Sequence, residues 1–135
     1  MNTKIDEAEA GTVSLSESNF SETVQKEGIA LVDCWASWCK ACKEFQPVFE
    51  ATAKRHPTHR FAKLNTQEEK KLVESLGINH IPTLMLFRDG LLLFKQPGYF
   101  DENGLNDIIA QGESLDMEEV KAAMVADDHQ HEARK

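Results

Sequence analysis

An unbroken apolar run, Ile29–Val32, is followed directly by Asp33-Cys34-Trp35. Apolar residues at successive positions, without alternating polar ones, are typical of a strand that is buried on both faces of its sheet. Such a strand needs other elements packed above and below the sheet. The run therefore predicts an α/β fold in which helices cover both faces.

The rest of the chain alternates between strand and helix patterns and includes one hairpin. Strands are predicted at Thr12–Leu15, Arg60–Leu64, Thr83–Phe87 and Leu91–Lys95, and helices at residues 19–28, 39–56, 66–77 and Glu102–Gln111. The turn Arg88-Asp89-Gly90 is short enough to make the last two strands an antiparallel hairpin, whereas helices join the earlier ones. This order predicts a central mixed β-sheet flanked by helices.

Helix boundaries follow from capping patterns. Asn19 with Glu22, and Thr66 with Glu69, have the spacing of a capping box. Gly77 is expected to end the helix that Thr66 begins, because glycine readily adopts the left-handed conformation found there.

An additional helix is predicted beyond the last core helix. Ser114 is expected to cap a helix over Leu115–Ala126, whose Met117, Val120 and Met124 form an apolar stripe. The stripe should cover an apolar patch on the same domain or form a dimer or partner contact. The expected divisions are a polar tail (1–11), one domain (12–112), an amphipathic helix (113–128) and a second polar tail (129–135).

Charge excludes some classes of partner. The 135 residues contain 15 Lys and Arg against 23 Asp and Glu, a formal net charge of −8 that is concentrated at the two ends. Such a chain repels nucleic-acid phosphates and anionic lipid, so neither is an expected partner. The first ten residues do not resemble a secretory signal, and no apolar run approaches the roughly 20 residues of a membrane span. We therefore expect a cytoplasmic protein, monomeric or weakly dimeric.

Three cysteines lie close together: Cys34, Cys39 and Cys42. An odd number so clustered cannot link distant elements, so a reducing compartment is expected. Cys39 and Cys42 fall in the first turn of a predicted helix, where free backbone N–H groups favour a thiolate, and Lys40 adds a positive charge. Cys39 is the expected nucleophile and Cys42 the resolving thiol. Half of a zinc site remains an alternative, although no second Cys-x-x-Cys follows at finger spacing.

The motifs around these cysteines resemble those of the thioredoxin family. They are the block Leu31–Lys43 with its Cys-x-x-Cys pair, Pro47, Ala62-Lys63-Leu64-Asn65, the segment Gly77–Gly90 with Ile81-Pro82-Thr83, and Gly98. The resemblance covers residues 12–112 in order. It implies a thioredoxin fold that reduces protein disulfides without a bound cofactor, and electrons that come from NADPH through a flavoprotein thioredoxin reductase.

The resemblance also assigns roles to individual residues. Cys39 attacks the substrate disulfide and Cys42 releases the reduced product. Asp33 matches the family's buried carboxylate, which takes the proton from Cys42, and Lys63 matches the neighbouring lysine.

A substrate groove is implied as well. Ile81-Pro82 matches the family's cis-proline turn, in which the residue before proline pairs with substrate backbone. Trp38, Ile81, Pro82 and Gly98 are expected to line the groove, with Lys40, Ala41 and His80 beside it.

Two positions depart from the family pattern. Lys40-Ala41 stands where thioredoxins usually have Gly-Pro, which should make the couple less reducing. His80 stands where glycine is frequent; it either borders the groove or is an exposed loop histidine. A dedicated electron relay, an oxidase or isomerase, and a binding, assembly or metal-carrier module therefore remain alternatives.

The remaining residues of interest have simpler expectations. Cys34 is expected to be a buried, inert thiol. His56 and His59 flank Pro57 at a helix end and are expected to be solvated rather than metal ligands.

Overall fold

The computed structural model describes residues 11–133, with side chains as far as Val125. All but Gly11 of the predicted N-terminal tail lies outside the described residues, as do the side chains of the predicted C-terminal tail. The strands are β1 (Val13–Ser14), β2 (Ile29–Trp35), β3 (Arg60–Asn65), β4 (Thr83–Arg88) and β5 (Leu91–Pro97). The helices are α1 (Phe20–Val24), α2 (Lys40–Arg55), α3 (Lys70–Leu76), α4 (Glu102–Ser114) and α5 (Met117–Ala133).

The strands form one mixed sheet in the order β1-β3-β2-β4-β5. Strands β1 and β2 run parallel to β3, whereas β4 is antiparallel to both β2 and β5. The predicted mixed sheet with a terminal hairpin is confirmed, and β2 is its central strand. No helix within residues 11–133 is long and apolar enough to cross a membrane.

Alternate residues of β2 enter two separate cores, one on each face of the sheet. Val32 and Cys34 pack on the face that α1 and α3 cover through Val24 and Leu72, among others. Ile29 and Leu31 pack on the other face, which α2 and α4 cover with Phe45, Phe49, Leu105 and Ile109. Because side chains alternate along a strand, Asp33 lies on the α2 face.

Of the two predicted N-caps, Asn19 is confirmed in position but not in its side-chain bond, and Thr66 is wrong. The Asn19 side chain faces the preceding loop, where Oδ1 accepts from Ser16 N at 2.7 Å and Nδ2 donates to Ser14 O at 2.9 Å. Asn19 is the N-cap residue of α1, but its side chain makes no capping hydrogen bond, and α1 ends at Val24 rather than at Gly28. The Thr66 hydroxyl donates to Trp35 O at 3.0 Å, so α3 begins later, after Glu69. In both residues the side chain bonds to another segment instead of accepting from the helix N-terminus.

The ends of the last helices also differ from expectation. Ser114 Oγ donates to Gln111 O, and Asp116 is the residue that caps α5, accepting from Glu118 N at 3.0 Å. The predicted helix end at Gly77 is confirmed, with glycine at φ 67°.

The apolar stripe of α5 is only partly covered. Met117 and Val120 are half-buried, whereas Met124 is 37% exposed. Covering of a patch by this stripe stays a prediction.

Candidate active site

The cysteine pair lies at the junction of β2 and α2. Cys39 is the N-cap residue of α2 and forms a disulfide with Cys42, with the two Cα atoms 5.2 Å apart. Cys42 N donates to Cys39 Sγ at 3.1 Å. The sulfur therefore occupies the position where helix N–H groups and the positive end of the helix dipole stabilise an anion.

Access to the pair is from the side of Cys39 and Trp38. Cys39 is 6% exposed and Cys42 2%, whereas Trp38, immediately before them, is 70% exposed. Lys40 is exposed and Ala41 half-buried. Cys39 is therefore the more exposed of the two cysteines, and an attacking group must be accessible to its substrate.

The loop before the cysteines is held by the loop that follows β3. Gln67 Oε1 accepts from both N and Oγ of Ser37, each at 2.8 Å. Thr66 N donates to Trp35 O at 2.9 Å. Sequence reasoning missed Gln67, although the parallel pairing of β2 and β3 places both following loops at one edge of the sheet.

Asp33 is 1% exposed, and its Oδ1 has no hydrogen-bond partner among the described residues. Burial raises the pKa of Asp33 to about 7; the positive charge of Lys63 opposes this rise and the negative charge of Glu50 adds to it. A carboxyl group with that pKa can both accept and return a proton near neutral pH.

Lys63 lies opposite Asp33 in the β2–β3 register, as the resemblance implies, but its hydrogen bond goes elsewhere. Its Nζ donates to Glu50 Oε2, on α2. Burial acts to raise the pKa of Glu50, yet the hydrogen bonds from Lys63 and Gln46 outweigh it, so the pKa is lowered. Sequence reasoning did not find Glu50, because this contact depends on how α2 packs on the sheet.

The Ile81–Pro82 peptide bond is cis. Ile81 packs against the cluster that contains Cys39 and Cys42, and Gly98 N donates to Pro82 O at 2.8 Å. This turn therefore lies beside the disulfide.

A shallow depression next to the disulfide is lined by Trp38, His80 and Ile81. Of the four residues expected to line the groove, Pro82 and Gly98 are not among its lining residues. Pro82 is buried, and its carbonyl is bonded to Gly98. His80 is exposed and lies at the rim.

The third cysteine is separate from this site. Cys34 has no exposed surface and lies on the opposite face of the sheet from Asp33. Burial, with a smaller contribution from the nearby Asp33, raises the pKa of the Cys34 thiol. The prediction of a buried thiol is confirmed, and so high a pKa makes it a poor nucleophile.

Comparisons with known proteins agree with this geometry. A model of the thioredoxin family matches residues 11–111. A protein named putative thioredoxin 2 from Streptomyces coelicolor is 42% identical over 113 residues, which cover 84% of each chain. A thioredoxin from Alicyclobacillus acidocaldarius is 38% identical over 89 residues, covering 65% of this chain and 85% of that protein.

Solved structures give the same result. A mutant thioredoxin from Halobacterium salinarum superimposes with a TM-score of 0.73 at 27% identity, covering 79% of this chain and 95% of that one. Thioredoxin from Malassezia sympodialis superimposes with a TM-score of 0.67 at 26% identity, covering 74% and 89%. The chain therefore belongs to the thioredoxin family of protein-disulfide reductases.

Proposed function

We propose that the chain reduces protein disulfides in two exchange steps. The Cys39 thiolate attacks one sulfur of the substrate disulfide, forming a mixed disulfide while the other substrate sulfur leaves as a thiolate. The Cys42 thiolate then attacks Cys39 Sγ, which forms the Cys39–Cys42 disulfide and frees the second substrate thiol. Two electrons pass from the dithiol to the substrate. The observation that carries the proposal is the position of Cys39 Sγ at the N-terminus of α2.

Asp33 serves as the proton acceptor for Cys42. It lies on the face of β2 that α2 covers, and Cys42 is among the buried residues of α2. With a pKa of about 7, its carboxylate takes the Cys42 proton as that thiol becomes the attacking group. Lys63 and Glu50 are positioning residues, since they act through the charge of Asp33.

The substrate binds as an extended peptide beside the cysteines. The backbone of Ile81 pairs with it, in a contact that carries little sequence preference. Trp38 and His80 flank the peptide, with Lys40 and Ala41 at the helix end. Pro82 and Gly98 act indirectly, because they stabilise the turn that presents Ile81.

The oxidised pair is reduced again by a flavoprotein thioredoxin reductase that draws on NADPH. The chain needs no bound cofactor, because the reduced Cys39–Cys42 dithiol itself carries the two electrons. We place this cycle in the cytoplasm and assign the chain a monomeric or weakly dimeric state.

A second candidate is oxidation, isomerisation or a dedicated relay to one client, and Lys40 is the observation that favours it. Its positive charge lies next to Cys39 at the helix N-terminus. It stabilises the reduced, thiolate form and so makes the couple more oxidising.

Reduction of insulin disulfides, driven by dithiothreitol and followed by turbidity, tests the proposal. Cys39→Ser should abolish the reaction. Cys42→Ser, first reduced and then mixed with insulin in the absence of dithiothreitol, should stop after the first step and accumulate a mixed disulfide that mass spectrometry assigns to Cys39. Cys34→Ala is the matched control and should retain activity. A wild-type chain that is inactive, or a Cys39→Ser variant that stays active, would contradict the mechanism and favour a binding or assembly module.

A further inference from the structure

The far end of α2 carries a group of metal-ligating side chains that the redox site does not use. His56, His59 and Glu113 each offer one donor atom, and these atoms lie within 4.8 Å of one another. His56 is the C-cap residue of α2, whose 16 residues span about 24 Å. The group is therefore remote from the disulfide at the other end of that helix.

The two histidines are held together by one turn. His59 N donates to His56 O at 3.0 Å, which closes the four-residue turn around Pro57. The ring planes are within 11° of parallel, with centroids 5.7 Å apart, and the His56 ring also stacks with Phe61. The expectation that these histidines are solvated is wrong for His59, whose side chain is only 13% exposed.

Helix α4 supplies the partners of both rings. Asn106 and Glu113 are about two helical turns apart and so lie on one face of α4. His56 Nε2 lies 3.0 Å from Asn106 Oδ1, and His59 Nε2 lies 2.7 Å from Glu113 Oε2. With Nε2 of His56 bonded to Asn106, its Nδ1 remains for an ion. A metal-binding histidine typically bonds its second ring nitrogen to an oxygen in this way.

We propose that His56, His59 and the Glu113 carboxylate bind one Zn²⁺ ion. Two imidazoles and a carboxylate are an established zinc donor set, with water completing the coordination. In a tetrahedral site with bonds of about 2.1 Å, neighbouring donors lie about 3.4 Å apart. The donor pair at 2.7 Å must therefore separate by less than 1 Å, and a pair as wide as 4.8 Å must close by about 1.4 Å. Glu113, 47% exposed, gives water access to the ion.

Positive charges near the group oppose cation binding. Arg60 lines a neighbouring hollow with His59, but its guanidinium donates to the main-chain carbonyls of Thr23, Lys26 and Glu27. Arg88 lines the same hollow as His59 and Glu113. Its Nη1, however, donates to the main-chain carbonyls of Gly112, Glu113 and Leu115 at 2.7, 3.1 and 3.0 Å. The guanidinium is thus directed at the end of α4 rather than at the Glu113 carboxylate. The ion would join the end of α4 to the turn after α2. It should therefore stabilise the fold rather than take part in thiol–disulfide exchange.

Calorimetric titration of the full-length, oxidised chain with ZnCl₂ tests the proposal, because the disulfide prevents the active-site thiols from binding metal. We expect one equivalent of Zn²⁺ to bind and to raise the melting temperature. His59→Gln and Glu113→Gln should each weaken binding by roughly tenfold or more. Since Glu113 is half-exposed, its variant should fold normally, which circular dichroism checks.

Two controls distinguish this group from others. Asp107→Asn removes an exposed negative charge from the same helix and should leave zinc affinity unchanged. The double variant His129→Gln/His131→Gln removes two other histidines, near the C-terminus, and should also bind normally. The proposal is overturned if the wild-type chain binds no zinc, if His59→Gln and Glu113→Gln bind it as tightly as wild type, or if the double variant loses binding.

Discussion

Lys63 lies opposite Asp33 across the β2–β3 pair but donates its hydrogen bond to Glu50 on α2. The lysine and the glutamate therefore act on the buried carboxyl with opposite charges. The positive charge of Lys63 lowers the pKa of Asp33, and the negative charge of Glu50 raises it. The ionisation of Asp33 can therefore be adjusted by changes at two half-buried residues.

Removing the charge of Lys63 and removing the charge of Glu50 should move the pKa of Asp33 in opposite directions. Lys63→Met should raise it, because the favourable charge is lost. Glu50→Gln should lower it, because a repelling charge is lost and Lys63 is released from its hydrogen bond. NMR titration of the Asp33 carboxyl carbon measures both shifts, and the pH dependence of insulin reduction should follow them. Gln46→Ala, which removes the second hydrogen bond to Glu50, is the control and should have a smaller effect. Shifts in the same direction for Lys63→Met and Glu50→Gln would contradict this account.

Asp33→Asn should stabilise the fold at alkaline but not at acid pH. The folded pKa of about 7 is above the ordinary value of 3.8, so the folded state holds the proton more tightly than the unfolded chain. The contribution of Asp33 to stability is therefore greatest below about pH 4 and is lost as pH rises to about 7. Above that range the buried charge costs on the order of 4 kcal/mol, so Asp33→Asn should gain about 2–4 kcal/mol at pH 8.

Urea unfolding of both proteins at pH 4 and at pH 8 measures this difference. The gain should shrink or vanish at pH 4, where the folded state holds Asp33 protonated and no buried charge remains. An equal effect at the two pH values would show that the charge of Asp33 is not the cause. Insulin reduction by the variant should be slower, since Cys42 loses its proton acceptor.

Cys34 should stay unreactive while Cys39 and Cys42 react. Its thiol is fully buried, and its pKa is raised by that burial. The native, reduced chain should therefore release two equivalents of thionitrobenzoate from Ellman's reagent quickly, and the third only after denaturation. Rapid reaction of all three thiols in the native chain would mean that the Cys34 side of the sheet opens readily.

Gln67→Ala should slow the reaction without unfolding the protein. Gln67 joins the loop after β3 to Ser37, two residues before Cys39, through hydrogen bonds that are largely exposed. Such bonds contribute about 1 kcal/mol each at most to stability, so the melting temperature should change little. A looser loop should reduce kcat/KM for insulin. Gln46→Ala, an exposed glutamine on α2, is a control for the loss of a surface amide. Unchanged kcat/KM in Gln67→Ala would mean that the loop is positioned without it.

Local patterns were sufficient to predict the architecture. The apolar run of β2, the left-handed Gly77 and the short turn at Asp89-Gly90 each depend on neighbouring residues alone, and the structure confirms them. The position of Cys39 at the helix N-terminus also depends on neighbouring residues alone. The reactive pair could therefore be predicted from the sequence.

Contacts between distant segments were not predictable in this way. Asn19 and Thr66 have capping side chains at the correct spacing, yet both bond to backbone oxygens of other segments. Glu50 reaches Lys63 only because α2 packs over β3, and Glu113 reaches His59 only because α4 ends beside that turn. The spacing of residues in the sequence does not indicate which side chains of distant segments will be in contact. Such contacts depend on packing angles and helix lengths.

Lys40 should make the couple more oxidising than that of a thioredoxin with an uncharged residue at this position. Its positive charge next to Cys39 favours the thiolate and hence the reduced form. Lys40→Gln should therefore shift the equilibrium potential to a more negative value, with Lys43→Gln, exposed and one turn further along α2, as the control. A shift in the opposite direction would show that the local charge does not determine the potential.

The equilibrium reduction potential of the Cys39–Cys42 couple tests the central claim most directly. It is measured by titration of the wild-type chain against glutathione, with mass spectrometry counting the free thiols. A general reductant requires a potential near the value of about −270 mV for thioredoxin, and the Lys40 charge places our prediction slightly above it, below about −220 mV. A potential between about −180 and −120 mV, in the range of isomerases and strong oxidants, would contradict reduction as the direction of electron flow.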